Sequence, residues 1–342
     1  MECDMTTTSP NSLTFVPIDA PVISSHIEAR RMMMQGFETE LNALRRLNLE
    51  KRIHEMLFFL ALWVVSITLN YIGYQSTASY LQYGFIIMGT IGTAIAVNTF
   101  ILFLHEGMHN TLFTSRFWNR WASAALGWVF CISFTAYKVM HTRHHNYLGD
   151  PRDPDDYQNY LKNKPLLWIM HYERLILGPY LYIFVIPMLA LRYGSSIERR
   201  HVIEEYIALI SVYILVSLIV PANLLLYLWF LPLVLTAHMT AIRGLTQHGI
   251  TNAQDPFIAS RSIQANRVVA FFLLNENFHL EHHLFPEIPS YNLAQVHKLI
   301  WPRLPRVVTG TSYLAFLFKF FVASLKMDEK PIGFTDLVEW EV

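Results

Sequence analysis

The sequence predicts an all-α integral membrane protein in which four transmembrane helices form two hairpins and a cytoplasmic helical cap holds a two-metal site. Three observations support this fold class. The composition is strongly apolar, four apolar runs are about as long as a membrane span, and eight of the fifteen histidines cluster outside those runs. Each observation bears on a different part of the architecture.

The composition and the apolar runs predict the spans. Of 342 residues, 53% are hydrophobic and 15% charged, whereas about 25% of the residues of an average soluble domain are charged. A helix needs about 20 apolar residues to cross the hydrocarbon core. We therefore expect spans at about residues 56–74, 80–104, 206–220 and 224–242. Short turns join the first two runs and the last two, so each pair is predicted to form a helical hairpin.

The charge distribution predicts the orientation. Neither turn, 75–79 or 221–223, contains lysine or arginine. Because basic residues favour the cytoplasmic side, we expect the histidine clusters and both termini in the cytoplasm. Segment 175–191 contains Pro179 and Pro187 and precedes several arginines, so it is predicted to be interfacial or partly embedded. Segments 121–134 and 313–325 are expected to be short cap or interface helices.

The N-terminal region is predicted to lie outside the membrane domain, which should cover residues 55–342. Residues 1–24 are expected to be a disordered tail. Residues 25–54 are expected to form an amphipathic cytoplasmic helix, because Phe37, Leu41 and Leu44 recur at helical spacing. A helix packed on the cap fits this spacing equally well. No secretory signal is expected, since no apolar segment precedes a small-residue cleavage site.

Charge and cysteine content exclude several classes of protein. The formal net charge is zero, which gives no reason to expect a nucleic-acid partner. The two cysteines, Cys3 and Cys131, form no Cys-x-x-Cys motif. Neither a disulfide framework nor a thiolate metal site is therefore expected.

The histidine clusters predict metal binding. Imidazole is a suitable ligand for iron, copper, zinc and nickel, and eight imidazoles exceed the coordination positions of one ion, so two ions are implied. His105 and His109 are four residues apart at the end of the second span, which places both rings on one helix face. The clusters consist of His105 and His109; His141, His144 and His145; and His279, His282 and His283.

The remaining histidines are treated separately. His248 follows the last span, at the same predicted edge of the membrane as the clusters. His238 lies within that span, where a hydrogen bond between helices explains it as well as a function does. Isolated histidines are more often surface or hydrogen-bonded residues than ligands, so no function is assigned to His26, His54, His171, His201 and His297.

Polar residues beside the clusters are candidates to orient the ligands, a role that hydrogen bonds to metal-bound imidazoles commonly perform. For the acidic run 150–156, a solvated loop with turn-forming prolines fits equally well. The candidates are Glu106, Asn110, Asp150, Asp153, Asn277 and Glu281, with Asp155 and Asp156 in the same acidic run.

Residues 105–109 also spell H-E-x-x-H, the zinc protease signature in which Glu106 would be the general base. A single-zinc protease needs one further ligand, whereas this chain has six further clustered histidines. Most of them would have no role in a protease, so this hypothesis is disfavoured.

The three boxes H-x-x-x-H, H-x-x-H-H and H-x-x-H-H, with the two predicted hairpins before and between them, resemble the membrane-bound fatty acid desaturase and hydroxylase family. The third box, in the stretch N-F-H-L-E-H-H-L-F-P-E-I-P from Asn277 to Pro289, is particularly similar. The resemblance covers about residues 58–299. It implies a non-haem di-iron centre held by the eight boxed histidines, and His248 matches the place of a further ligand in that family.

The resemblance implies O2-dependent desaturation of a fatty acyl chain by two iron ions. The first box has three residues between its two histidines, a spacing that resembles acyl-lipid, sphingolipid or carotenoid-type members of the family. No His-Pro-Gly-Gly cytochrome motif is fused to the chain, so a separate electron donor of ferredoxin or cytochrome b5 type is expected. One alternative is a hydroxylase or ketolase acting on a carotenoid or other lipophile. A second is a membrane zinc metalloprotease or a non-catalytic metal transporter, although a transporter would be expected to have its ligands within the spans.

Overall fold

A computed structural model of the chain describes residues 26–148, 152–155, 176, 178–249, 251, 255–305, 307, 309–310 and 312–325. The predicted tail 1–24 lies outside these residues. Helices dominate the described part, and the only sheet there is a two-residue parallel pair, β1 (Ser262–Ile263) with β2 (Thr309–Gly310). The longer helices are α1 (His26–Met34), α2 (Glu38–Leu44), α3 (Leu49–Gln75), α4 (Ser79–Met108), α5 (Arg116–Trp128), α6 (Phe134–Tyr147), α7 (Gly178–Tyr193), α8 (Ser196–Ile219), α9 (Ala222–His248), α10 (Arg267–Phe272), α11 (His279–Leu284), α12 (Leu293–Ile300) and α13 (Tyr313–Leu325).

Four of the described helices, α3, α4, α8 and α9, are long and apolar enough to cross a membrane. The predicted fold class is confirmed: an all-α membrane protein with two hairpins and histidine clusters that could hold metal. All four helices begin earlier than their apolar runs, and the difference is largest for α3 and α8. Asn48 caps α3 by accepting a 3.0 Å hydrogen bond from the Lys51 amide, and Ser195 and Glu198 form a capping box at α8. Capping thus extends the helices into polar sequence.

The chain contacts divide the protein into two compact units. The spanning unit comprises Leu47–Thr142 and Leu175–Ala241, and the non-spanning unit comprises Met1–Arg46, Arg143–Arg174 and Ile242–Val342. In the spanning unit, α3 and α4 pack closely because Gly89 faces the other helix. A Cβ there would lie 2.6 Å from the Ser66 carbonyl oxygen. Small residues commonly permit such close packing of membrane helices.

Two predicted short helices are present with shifted bounds. Segment 175–191 contains α7, which has 16 residues with Pro187 inside. At 1.5 Å per residue it is shorter than the roughly 30 Å hydrocarbon core. The helix expected at 121–134 is instead α5, which ends at Trp128. The chain then turns through Cys131 at φ 59°. The helix expected at 313–325 is α13.

The segment expected as one amphipathic helix, 25–54, contains α1, α2 and the start of α3. Gly36 has φ +82°, a conformation that interrupts a right-handed helix and that glycine adopts at little cost. Met33 and Leu41 are buried in the core of the non-spanning unit with Phe285. The apolar faces of α1 and α2 therefore pack against protein.

Candidate metal centre

In the spanning unit, the first histidine box lies at the end of α4. The His105 and His109 rings are 4.9 Å apart between centroids, as their four-residue spacing predicts. His141 from α6 joins them, with 3.0 Å between its Nε2 atom and that of His109. The rings of His105 and His141 are 4.5 Å apart. Three imidazoles from two helices therefore converge.

Close packing of α5 on α4 holds this box in place. Gly107 lies between the two histidines, and a Cβ there would clash with Ser123 of α5 and lie 3.0 Å from the Asn119 carbonyl oxygen. The Asn119 side chain accepts hydrogen bonds from the amides of Leu112 and Phe113, at 3.2 and 3.0 Å. The turn after the box is thereby tied to α5.

In the non-spanning unit, His144, His248 and His283 bring three potential ligand nitrogens within 4.8 Å of one another. His144 is on α6, His248 is the last residue of α9, and His283 is on α11. Their ring centroids are separated by 4.7 to 5.2 Å. The triad combines residues from two boxes with the isolated His248.

The neighbouring histidines extend the cluster in the same unit. The Nε2 atom of His279 is 2.9 Å from that of His248 and 3.2 Å from that of His283. The Nε2 atoms of His282 and His145 are also 3.2 Å apart. Two nitrogens bound at about 2.1 Å and at about a right angle to one ion are about 3 Å apart. The spacing therefore fits a metal site.

The protonation state also favours metal binding. Burial, followed by the nearby imidazoles of His145 and His279, lowers the pKa of His283 well below its usual 6.5. A neutral imidazole is the form that coordinates a metal. His279, His282 and His283 are all at most 5% exposed, so water has little access to their rings.

Two carboxylates orient rings of the non-spanning cluster. Asp153 lies with both oxygens 3.1 Å from Nδ1 of His144. Glu276 has one oxygen 3.3 Å from Nδ1 of His279. A carboxylate that accepts the Nδ1 hydrogen fixes the tautomer and leaves Nε2 for a metal. Asp153 was among the predicted candidates, whereas Glu276 was missed, although it stands only three residues before His279 in the sequence.

The other candidates have different surroundings. Glu106 forms an ion pair with the fully buried Arg52. Asn110 follows α4 with φ 60°. Asn277 donates a 2.9 Å hydrogen bond to the Ile263 carbonyl oxygen. Glu281 accepts a hydrogen bond from Ser262 and contacts His297. Asp150 and Asp156 lie outside the described residues, and Asp155 donates its amide to Asp153.

Arg261 is a further residue that sequence reasoning did not identify. Its Nη1 donates to the carbonyl oxygens of Thr246 and Gly249, at 2.8 and 2.9 Å, and its guanidinium lies 4.6 Å from the Phe316 ring centroid. Burial lowers its pKa to about 9, so it remains a cation at neutral pH. It caps the end of α9 that carries His248. No local sequence pattern indicates this contact.

The fatty acid desaturase family model matches residues 78–315, which is more than half of the chain. The chain belongs to the fatty acid desaturase family. Its histidine boxes and four candidate spans are thus those of a membrane oxidoreductase of lipid metabolism. Desaturase-type chemistry accounts for clustered imidazoles that a single-zinc hydrolase would not use.

The chain is also similar to proteins that are named as sphingolipid desaturases. The chain is 25% identical to the human protein named sphingolipid delta(4)-desaturase DES1, in an alignment of 284 positions that covers 76% of this chain and 80% of the relative. It is 26% identical to the rat protein of that name, over 64% of this chain and 67% of the relative. Human sphingolipid delta(4)-desaturase/C4-monooxygenase DES2 is 27% identical, over 58% and 60%.

Proposed function

We propose that this desaturase-family chain introduces a double bond into a long acyl chain of a membrane lipid, using O2 and histidine-bound iron. The convergence of buried imidazole nitrogens about 3 Å apart, with carboxylates behind two of the rings, carries this proposal. Family membership supports it.

The proposed ligands are nine histidines, which exceed the coordination positions of one ion and therefore favour two irons. When bound, the iron would supply the oxidation of an unactivated C–H bond by O2, for which redox-inactive zinc is unsuited. The ligands are His105, His109, His141, His144, His145, His248, His279, His282 and His283.

The residues of the chain would position the rings and exclude water. Asp153 and Glu276 accept the Nδ1 hydrogens and prevent rotation of His144 and His279. The whole of α11 is buried, which limits the access of water to its imidazoles. Glu106, the base that a zinc protease would require, is paired with Arg52. That pairing disfavours the protease alternative.

The overall reaction can be written in balance. Two hydrogens leave adjacent carbons of the acyl chain, and one O2 takes up these two hydrogens, two further protons and two electrons to give two waters. The electrons would come from a separate donor of ferredoxin or cytochrome b5 type. Returning one oxygen atom to the carbon would instead give an alcohol, the product of a hydroxylase.

An apolar groove supports an acyl chain as the reacting group. The groove lies among the helices of the spanning unit, has a volume of about 640 Å³ and is lined by Trp63, Val97, Trp128, Leu209 and Trp229, among others. This volume is within the roughly 300–1,000 Å³ of typical ligand pockets. Aromatic and aliphatic walls bind methylene chains through the hydrophobic effect.

A second candidate substrate is the long-chain base of a sphingolipid. The names of the relatives, a delta(4)-desaturase and a desaturase/C4-monooxygenase, favour it. The second of these names also favours hydroxylation as a competing outcome. At 24–27% identity, we keep the acyl lipid as the first candidate.

Product analysis tests these candidates. The iron-loaded protein would be supplied with a chemical reductant and donor, 18O2, and either a saturated phosphatidylcholine or a saturated ceramide, with His283→Ala as the inactive control. A loss of two mass units from the phospholipid acyl chain supports the proposal. The same loss from ceramide alone would show that the sphingolipid, and not the acyl lipid, is the substrate. Incorporation of 18O into the product would indicate a hydroxylase. No product from either lipid, despite O2 consumption, would contradict both.

We also propose that the histidine boxes and both termini face the cytoplasm. The proposal rests on the absence of lysine and arginine from the two hairpin turns. A Thr77→Cys variant, made with both native cysteines replaced by serine, would be labelled in intact cells with a membrane-impermeant maleimide. Labelling from outside is expected, whereas labelling only after permeabilisation would reverse the orientation.

A further inference from the structure

A second cavity in the spanning unit has a polar, basic lining. It has a volume of about 420 Å³ and lies beside the end of α4, where Gly107 and Asn110 contribute to its wall. The first turns of α5 and α8 and the start of α6 complete it. The C-terminal end of α4 and the N-terminal end of α8 therefore meet at the same cavity. Neither the histidine cluster nor the apolar groove includes its basic residues.

The charges around this cavity are predominantly positive. Three permanent cations, Arg116, Arg120 and Lys138, line it together with His201. Glu198 is the acidic lining residue, and its carboxylate accepts the Ser195 amide and hydroxyl at 2.8 and 2.7 Å. A pocket with this charge balance attracts an anion.

A nearby carboxylate offsets one of these positive charges. Glu205 lies 3.4 Å from Arg120. The same carboxylate accepts hydrogen bonds of 2.7 Å from the Ser133 hydroxyl and 2.9 Å from the Thr135 amide, at the start of α6. Glu205 thus both pairs with Arg120 and caps α6. Arg116 and Lys138 are both exposed at the rim of the cavity.

Exposed aromatic side chains indicate the level of the membrane at which the cavity lies. On α5, Phe117, Trp118 and Trp121 are 59%, 58% and 53% exposed, and they alternate with Arg116 and Arg120. Tryptophan is enriched at the membrane–water interface, where its ring packs with lipid and its N–H faces the headgroups. A short helix with exposed aromatic and basic residues is typical of a segment at that depth.

We infer that this cavity binds the phosphate of a membrane phospholipid. Guanidinium groups bind phosphate oxygens through paired N–H donors, and a lysine ammonium contributes a point charge. The aromatic residues beside the cavity would contact the glycerol and upper acyl region of the same lipid. A free anion would gain nothing from them. Binding of this lipid requires neither iron nor turnover. The binding site can therefore be confirmed or refuted independently of the proposed desaturation.

Equilibrium binding to the purified full-length protein in detergent tests the inference. The probe is radiolabelled dioleoylphosphatidic acid, competed by unlabelled dioleoylphosphatidic acid or by dioleoylglycerol, which has the same chains without phosphate. An Arg116→Gln/Lys138→Gln variant removes two exposed cations of the pocket. Arg192→Gln/Arg200→Gln is the matched control, because it removes two exposed cations of the same unit outside the cavity.

The phosphate-bearing lipid should compete at least tenfold better than dioleoylglycerol. Each basic residue near a lipid surface contributes about fivefold in affinity, so the pocket variant should bind about thirtyfold more weakly and the control about as wild type. Arg116→Lys/Lys138→Arg, which keeps the charges, should retain binding within about threefold. Thermal unfolding in the same detergent would show that each variant is folded.

Three results would overturn the inference. One is equal competition by the two lipids, and another is an equal loss of binding in the pocket and control variants. The third is displacement of the lipid by about 1 mM inorganic phosphate at constant ionic strength, which would indicate a free-anion site instead.

Discussion

Replacing Glu276 by glutamine is expected to weaken iron binding about 10- to 100-fold while leaving the protein folded. Glu276 accepts the Nδ1 hydrogen of His279 at 3.3 Å, and the two side chains are only 2% and 7% exposed. Glutamine has nearly the same shape but no charge. A hydrogen bond to a charged group is about twice as strong as a neutral one, a difference of about 1–1.5 kcal/mol. A free-energy difference of about 1.4 kcal/mol corresponds to a tenfold change in affinity. The loss of charge therefore explains the lower end of the roughly 10- to 100-fold loss of metal affinity that is typical when such partners of metal ligands are removed.

Glu281→Gln is the matched control, because Glu281 is equally buried and lies five residues further along the chain. Its partners are Ser262 and His297, neither of which is a proposed ligand. Competition with a chromophoric iron chelator would give the iron affinity of both variants and of the wild type. Glu281→Gln should keep the wild-type affinity and lose some thermal stability. An unchanged affinity in Glu276→Gln, or an equal loss in both variants, would refute the reasoning.

Three further predictions concern stability. Arg52→Leu should destabilise the protein by about 3–5 kcal/mol, because it leaves the buried Glu106 carboxylate without its charged partner. Adding Glu106→Leu to this variant should raise its stability again, as measured by unfolding in detergent. Gly107→Val should lower the free energy of unfolding by about 1–3 kcal/mol, because the larger side chain would clash with Ser123 of α5. A melting temperature equal to that of the wild type would contradict this packing. Finally, the iron-free protein should become less stable as the pH falls below about 6.5, since the lowered pKa of His283 lets the unfolded chain bind the proton more readily. His283→Ala should show a weaker pH dependence, measured by unfolding at pH 7.5 and 5.5.

Local patterns predicted much of the fold and of the candidate site. Apolar runs identified the four spans because membrane insertion depends on the composition of about 20 consecutive residues. The spacing of His105 and His109 predicted that their rings share a helix face, since that depends only on helix geometry. The starts of the spans were less accurate. Residues 49–55 are largely charged and yet form the first turns of α3, because Asn48 caps the helix. Hydropathy does not detect such a cap.

Long-range contacts could not be predicted in the same way. Arg261 caps the end of α9 from a segment 12 residues beyond Gly249, and nothing in the intervening sequence indicates that contact. The helix α5 packs against Gly107 through Asn119 and Ser123, a contact that the apolar window 121–134 does not indicate. Glu281 stands inside the third box, yet it faces Ser262 and His297. Adjacency in sequence therefore did not identify which carboxylates contact the rings.

The most direct test of the account is the iron and zinc content per chain of the protein purified from iron-supplemented cells. About two irons per chain are expected, since the nine proposed histidine ligands exceed the coordination positions of one ion. His282→Ala should contain markedly less iron. One zinc per chain with no iron, or an unchanged iron content in His282→Ala, would contradict a histidine-bound iron pair and with it the proposed O2 chemistry.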